Sequence, residues 1–179
     1  MPRRIASIEP VLARIGGHPR ERYDAGRALR EVVPLEAHAE LDGGDKRADP
    51  LVVLGRQDRL RLPDLVPLRY GRMSRTPFTF LRGAAAVMAS DLSALPKTDL
   101  CVELCGDAHL GNFRYYSAPD RRLVFDLNDF DETLPGTFEW DVKRLAASVM
   151  VCARTNGHDK KDCRTASRAA VRNYREFIA

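Results

Sequence analysis

At 179 residues the chain can form one domain with a real core or two small lobes. Its 44% hydrophobic and 30% charged residues are ordinary for a folded globular protein and argue against global disorder. The net charge is only +4, yet it is unevenly spread: from Asp99 to Asp141 ten acidic residues face three arginines, Arg114, Arg121 and Arg122. A basic chain around an acidic centre suits a site where arginines meet phosphates and carboxylates meet metal. No run of five or six basic residues and no aromatic stacking platform occurs, so nucleic acid is the least favoured partner. No stretch approaches about 18 apolar residues, and no apolar segment follows Met1-Pro-Arg-Arg. The expectation is a cytoplasmic protein with no membrane partner.

Residues 1–17, with Pro2, Pro10 and Gly16-Gly17, read as a loose arm. Helical spacing follows from Pro19 to about Val33, with Pro34 as a stop. Residues 41–50, carrying Gly43-Gly44, read as a turn, 50–60 as a helix, and Leu62-Pro63-Asp64 opens a short helix ending near Arg72. The aromatic, β-branched run 78–81 reads as a strand, Gly83 breaks it, and 84–92 is an Ala-rich helix. Strands are expected at 99–104, 113–116 and 123–127, with a loop at 106–112 and a turn at Pro119-Asp120-Arg121. Residues 133–137, containing Pro135-Gly136, read as a loop. Two helices follow, 138–155 capped by Gly157, and 160–179. Cys101 and Cys105 share an expected strand, where four residues span roughly 13 Å, beyond the reach of a disulfide. A zinc site from these two and His109 lacks CxxC spacing and a fourth ligand.

The chemistry concentrates in CGDAHLGN, Cys105–Asn112, and in FDLNDFDE around Asp126. An Asp, four residues and an Asn is the spacing of a kinase catalytic loop, and a second carboxylate lies one hairpin later. Asp107 stands as general base, with Asn112 and Asp126 as metal ligands. Alone, Asp107 would be read as capping a turn and Gly111-Asn112 as a turn dipeptide. Asp126 lies within LVFDL, where burial without a cation or donors would be costly. Asp129 is the candidate for a further metal ligand; Asp131 and Glu132 read as solvent-facing. His109 reads as structural, bonding its own backbone. Asp141 can complement its helix N-terminus or reach back to the amides of the loop, and Trp140 reads as a core anchor.

The stretches LVPLRYGRM, TPFTFLRGAA, CGDAHLGNF, FDLNDFDETLPG and EWDVKRLAAS, between about Asp49 and Arg175, resemble the bacterial family called domain of unknown function 2252. That family is more distantly similar to aminoglycoside phosphotransferases and other protein-kinase-like enzymes. Their GDxHxGN loop is similar to GDAHLGN here, their IDxxD strand to VFDLND, and their DLARL helix to WDVKRLA. The resemblance implies an α+β, kinase-like fragment, with an N-terminal arm and helix over 1–48 and a kinase-like domain over 49–179, short at its C-terminus. It implies ATP and Mg²⁺ as cofactors, a hydroxyl as acceptor, Asp107 as base, and Asn112 and Asp126 on the metal. Cys105 stands where the phosphotransferases usually carry a His, and the chain has no GxGxxG loop and no Lys on an evident N-terminal strand. Arg82 is then the candidate phosphate-binding cation, with Arg69 and Arg72 as alternates and surface ion pairing as the competing role. Two other functions stay open: a metal-dependent phosphohydrolase, and an inactive, pseudokinase-like module that binds nucleotide or a partner.

Overall fold

The computed structural model describes residues 18–40 and 47–178, and the arm read over 1–17 and Gly43-Gly44 lie outside them. The described residues form seven α-helices and two small antiparallel sheets, a mixed α+β architecture. Among them, no helix is long and apolar enough to cross a membrane.

Helix α1 spans Pro19–Val32. His18 caps it through Nδ1 to the Arg20 amide, Glu21 returns a bond to the His18 amide, and Pro34 follows as the stop. Helix α2, Pro50–Asp58, starts on an Asp49 cap that accepts the Leu51 N–H at 2.8 Å. A 3₁₀ turn at Pro63–Leu65 leads into α3, Val66–Met73. Helix α4 covers Pro77–Gly83 and α5 Ala85–Ser93. Leu54, Met73, Ala84 and Val87 form one buried cluster joining these helices.

Residues 78–81 are therefore helical rather than a strand. Pro77 takes the first helical position, and Thr76 and Thr79 exchange side-chain-to-amide bonds across the first turn. That reciprocal cap outweighs the β preference of Phe78, Thr79 and Phe80.

Strand β1, Cys101–Leu104, pairs with β4, Leu134–Thr137, in the register Leu104↔Leu134. Between them β2, Phe113–Ser117, and β3, Leu123–Leu127, form a separate hairpin. The segment expected as a loop at 133–137 is thus mostly strand. A two-stranded sheet has only edges, so Pro135 is tolerated. Gly136 lets Leu104 approach, since a Cβ there would stand 2.6 Å from Leu104 Cδ1. The β1–β4 pairing delivers the loop after β1 and the loop before β4 to the same end of the sheet.

Helix α6, Glu139–Thr155, is the organising element, with no exposed residue from Glu139 to Ala153. Trp140 is half-buried beneath Lys97, whose ammonium lies 5.5 Å from the ring centroid. Gly157, at φ +84°, ends the turn after α6 as expected. Helix α7, Lys160–Ile178, packs back along α6, and Ser167 Oγ donates to the Ala146 carbonyl at 3.0 Å.

Candidate functional site

Three side chains on one face of α6 hold the loop that follows β1. Asp141, Arg144 and Ser148 are spaced i, i+3 and i+7, so they stack along the helix. Asp141 accepts the Cys105 N–H at 2.7 Å and the Gly106 N–H at 3.2 Å. Ser148 Oγ accepts the Leu110 N–H at 2.8 Å. Arg144, between them, donates from Nε to Asp107 Oδ1 at 2.7 Å. The Asn112 side-chain amide closes the loop by donating to the Asp107 carbonyl at 2.9 Å. Asp141 therefore does what its sequence position allowed, reaching back to the loop amides.

The loop must turn sharply to meet these anchors. Gly106 has φ +83°, and a Cβ on it would collide with the backbone carbonyl of Glu132. The acidic loop thus lies directly against the start of the 106–112 loop. Cys105 Sγ reinforces the contact by donating to the Asp129 carbonyl at 3.4 Å.

Asp107, Asp129, Asp131 and Glu132 line a small, partly open cleft between the two loops. Partial desolvation, with Asp107 and Asp129 adding to it, pushes the Glu132 carboxyl above its usual range. Desolvation likewise raises Asp141, against the two amide bonds that favour its charged form. Burial pushes the Cys105 thiol up as well, so it is not an activated nucleophile.

His109 is buried, with Nδ1 accepting the Gly111 N–H at 3.0 Å and Nε2 3.6 Å from Asp107 Oδ2. It bonds its own backbone, as expected. Burial is the largest cause holding its imidazole below the ordinary value near 6.5; Asp107 opposes that shift, while Arg144 and Arg82 add to it. The unfolded chain then takes up this proton first. The stability contributed by neutral His109 is fully present above about pH 6.5 and lost as pH falls toward the folded-state value. The drop in urea midpoint between pH 7.5 and 5.5 should be smaller in His109→Asn than in the parent chain. An equal drop in both would remove this role.

The structure distributes the expected site residues unevenly. Asp107 and Asp129 share the cleft, and Asn112 is buried against the Asp107 backbone. Asp131 and Glu132 are exposed, as expected, and also line the cleft. Asp126 is exposed rather than buried, opposite Arg114 in the hairpin register, with Oδ1 accepting the Leu127 N–H at 2.7 Å. Asp126 escapes the burial expected within LVFDL because the two-stranded hairpin is uncovered there, leaving Phe125 on one face and Asp126 on the other exposed.

Arg82 is exposed at the end of α4 beside the Gly111 turn, and makes no ion pair among the described residues. Arg72 is exposed as well. Arg69 pairs with Asp58 at 3.2 Å and donates to the Gly83 carbonyl at 2.6 Å, tying α2, α3 and α4 together. Arg144 and Ser148 had no assigned role from sequence. The available signal was their spacing from Asp141 on a helix otherwise rich in Ala and Val.

Residues 61–179 match the family model described as an uncharacterized protein conserved in bacteria, DUF2252. The chain belongs to the DUF2252 family. The match begins at residue 61, somewhat later than the resemblance starting near Asp49. The anchored loop, both hairpin strands and the α6 stripe of Asp141, Arg144 and Ser148 all fall within this DUF2252 segment. No curated protein and no solved structure matches the chain.

Proposed function

We propose that this DUF2252 chain is a kinase-like phosphotransferase that moves a phosphoryl group from Mg²⁺-ATP to a hydroxyl on a small molecule or protein. The observation that carries the reading is the loop itself: its backbone is pinned at Cys105, Gly106 and Leu110, while Asp107 opens onto an acidic cleft. Phosphoryl transfer demands positioning and charge stabilisation more than covalent chemistry, and a rigid loop presenting one carboxylate suits it. Asp107 accepts the hydroxyl proton, and Arg82 is an exposed cation beside the Gly111 turn, placed to meet a phosphate.

The donors are hard oxygens, which fit Mg²⁺: the carboxylates of Asp129 and Asp126 and the amide oxygen of Asn112. Mg²⁺ commonly takes one or two carboxylates and completes its shell with waters and substrate phosphates. Among the described residues no three His, Cys, Asp or Glu side chains are gathered as a cage, so an ion here would need those further ligands. Its contribution when bound is to neutralise charge on the transferring phosphates. Because Asp129 lines the cleft and Asp126 does not, Asp129→Asn should weaken Mg²⁺-ATP binding by about tenfold or more and Asp126→Asn by less. Calorimetric titration of both variants checks the order; the reverse order would restore Asp126 as the principal ligand.

The Asp107–Arg144 ion pair, together with the lack of a GxGxxG loop, favours one second reading, a module that binds nucleotide without turnover. Incubation with γ-labelled ATP, Mg²⁺ and a panel of hydroxyl acceptors separates the possibilities. Label on an acceptor supports transfer, free phosphate alone means hydrolysis, and binding with neither product means the inactive module.

A further inference from the structure

We propose that Arg144 is a positioning residue that pins Asp107 through Oδ1, leaves Oδ2 to work in the cleft, and fixes α4 with its exposed Arg82 against the same loop. This rests on the phosphotransferase reading of the site.

The guanidinium meets one carboxylate oxygen twice. Nε and Nη2 both reach Asp107 Oδ1, at 2.7 and 2.5 Å. Among the described residues Oδ2 accepts no hydrogen bond, and His109 Nε2 stands 3.6 Å from it, beyond a normal hydrogen bond. Nη2 also donates to the Leu81 carbonyl at 2.8 Å, one residue before Arg82, and Nη1 faces Met88 Sδ at 3.6 Å. One planar group therefore ties the candidate base to the end of α4, a use that a Lys point charge cannot copy. The Arg144 side chain is 4% exposed and that of Asp107 18%, so the pair sits at the boundary between core and cleft. Asp129, Asp131 and Glu132 crowd the same cleft with negative charge, and Arg144 is the buried cation that holds Asp107 among them.

A double-substitution cycle of Asp107→Asn and Arg144→Lys tests this, read both by urea denaturation and by turnover. The expected result is coupling in both readouts, the double variant losing less than the sum of the single losses. Arg144→Lys alone should lower kcat by about 100-fold while the KM for ATP stays within about twofold. A purely structural Arg144 would give additive losses, or would move kcat and KM together, and either overturns the proposal. Where Arg144→Lys does not fold, Arg144→Gln takes its place in the cycle; failure of both to fold assigns Arg144 to the fold alone and also overturns it. If the parent chain transfers no phosphate, the functional reading falls and the denaturation cycle alone decides whether Arg144 pins Asp107.

Discussion

Asp107→Asn should lower phosphoryl transfer by about 10³-fold, the scale expected when a positioned general base is removed. The substitution keeps side-chain size and can still accept a bond from Arg144, so the loop retains its shape. It removes the charge facing Arg144, whose buried guanidinium then lacks an ionic partner. A stability loss of about 2 kcal/mol follows, below the range of about 3–5 kcal/mol for a fully buried pair because Asp107 still touches solvent. The two effects separate experimentally: circular dichroism and a melting curve establish folding, and the initial rate with labelled ATP reads the chemistry. A folded Asp107→Asn variant with parental turnover would remove Asp107 from the reaction.

The second large effect is expected at Gly106. Alanine there must hold a left-handed backbone conformation and place its Cβ into the Glu132 carbonyl. Neither strain relaxes locally, because Asp141 holds the Gly106 amide from one side and the acidic loop closes the other. Gly106→Ala should lose about 3 kcal/mol, or roughly 8 °C in melting temperature for a chain of this size. Turnover should fall by about 100-fold through displacement of Asp107. Gly26→Ala is the matched control, since nothing lies within 4 Å of its added methyl on α1. That substitution should be neutral or slightly stabilising. Equal melting of the Gly106→Ala variant and the parent would mean that the loop does not depend on this turn.

Most helices were legible because their ends carry local signals: Pro19 and Pro50 at first positions, Asp49 as a cap, Gly157 after α6. Helix α4 was hidden because Phe78-Thr79-Phe80 favours a strand locally, while the deciding bonds link Thr76 to Thr79 across a turn. Strand β4 was hidden because Pro135-Gly136 signals a turn, and only pairing with the distant β1 makes it extended. That Asp107 and Asn112 share one loop was legible from their spacing, whereas for Asp141 the sequence left the helix N-terminus and the loop amides both open, and the structure shows the amides. The exposure of Asp126 could not, since alternation within LVFDL does not reveal whether a hairpin face is covered. Arg144 acts through tertiary contacts to Asp107 and Leu81, residues 37 and 63 positions away, which no local pattern contains.

The most direct measurement is a crystal structure of the full chain with a non-hydrolysable ATP analogue and Mg²⁺. The terminal phosphate is expected in the cleft between the 106–112 and 129–132 loops, with Asp129 toward the ion, Arg82 toward the phosphates and Asp107 Oδ2 facing the space for an acceptor. Nucleotide bound away from this cleft, or an Asp107 turned from the phosphate, would contradict it.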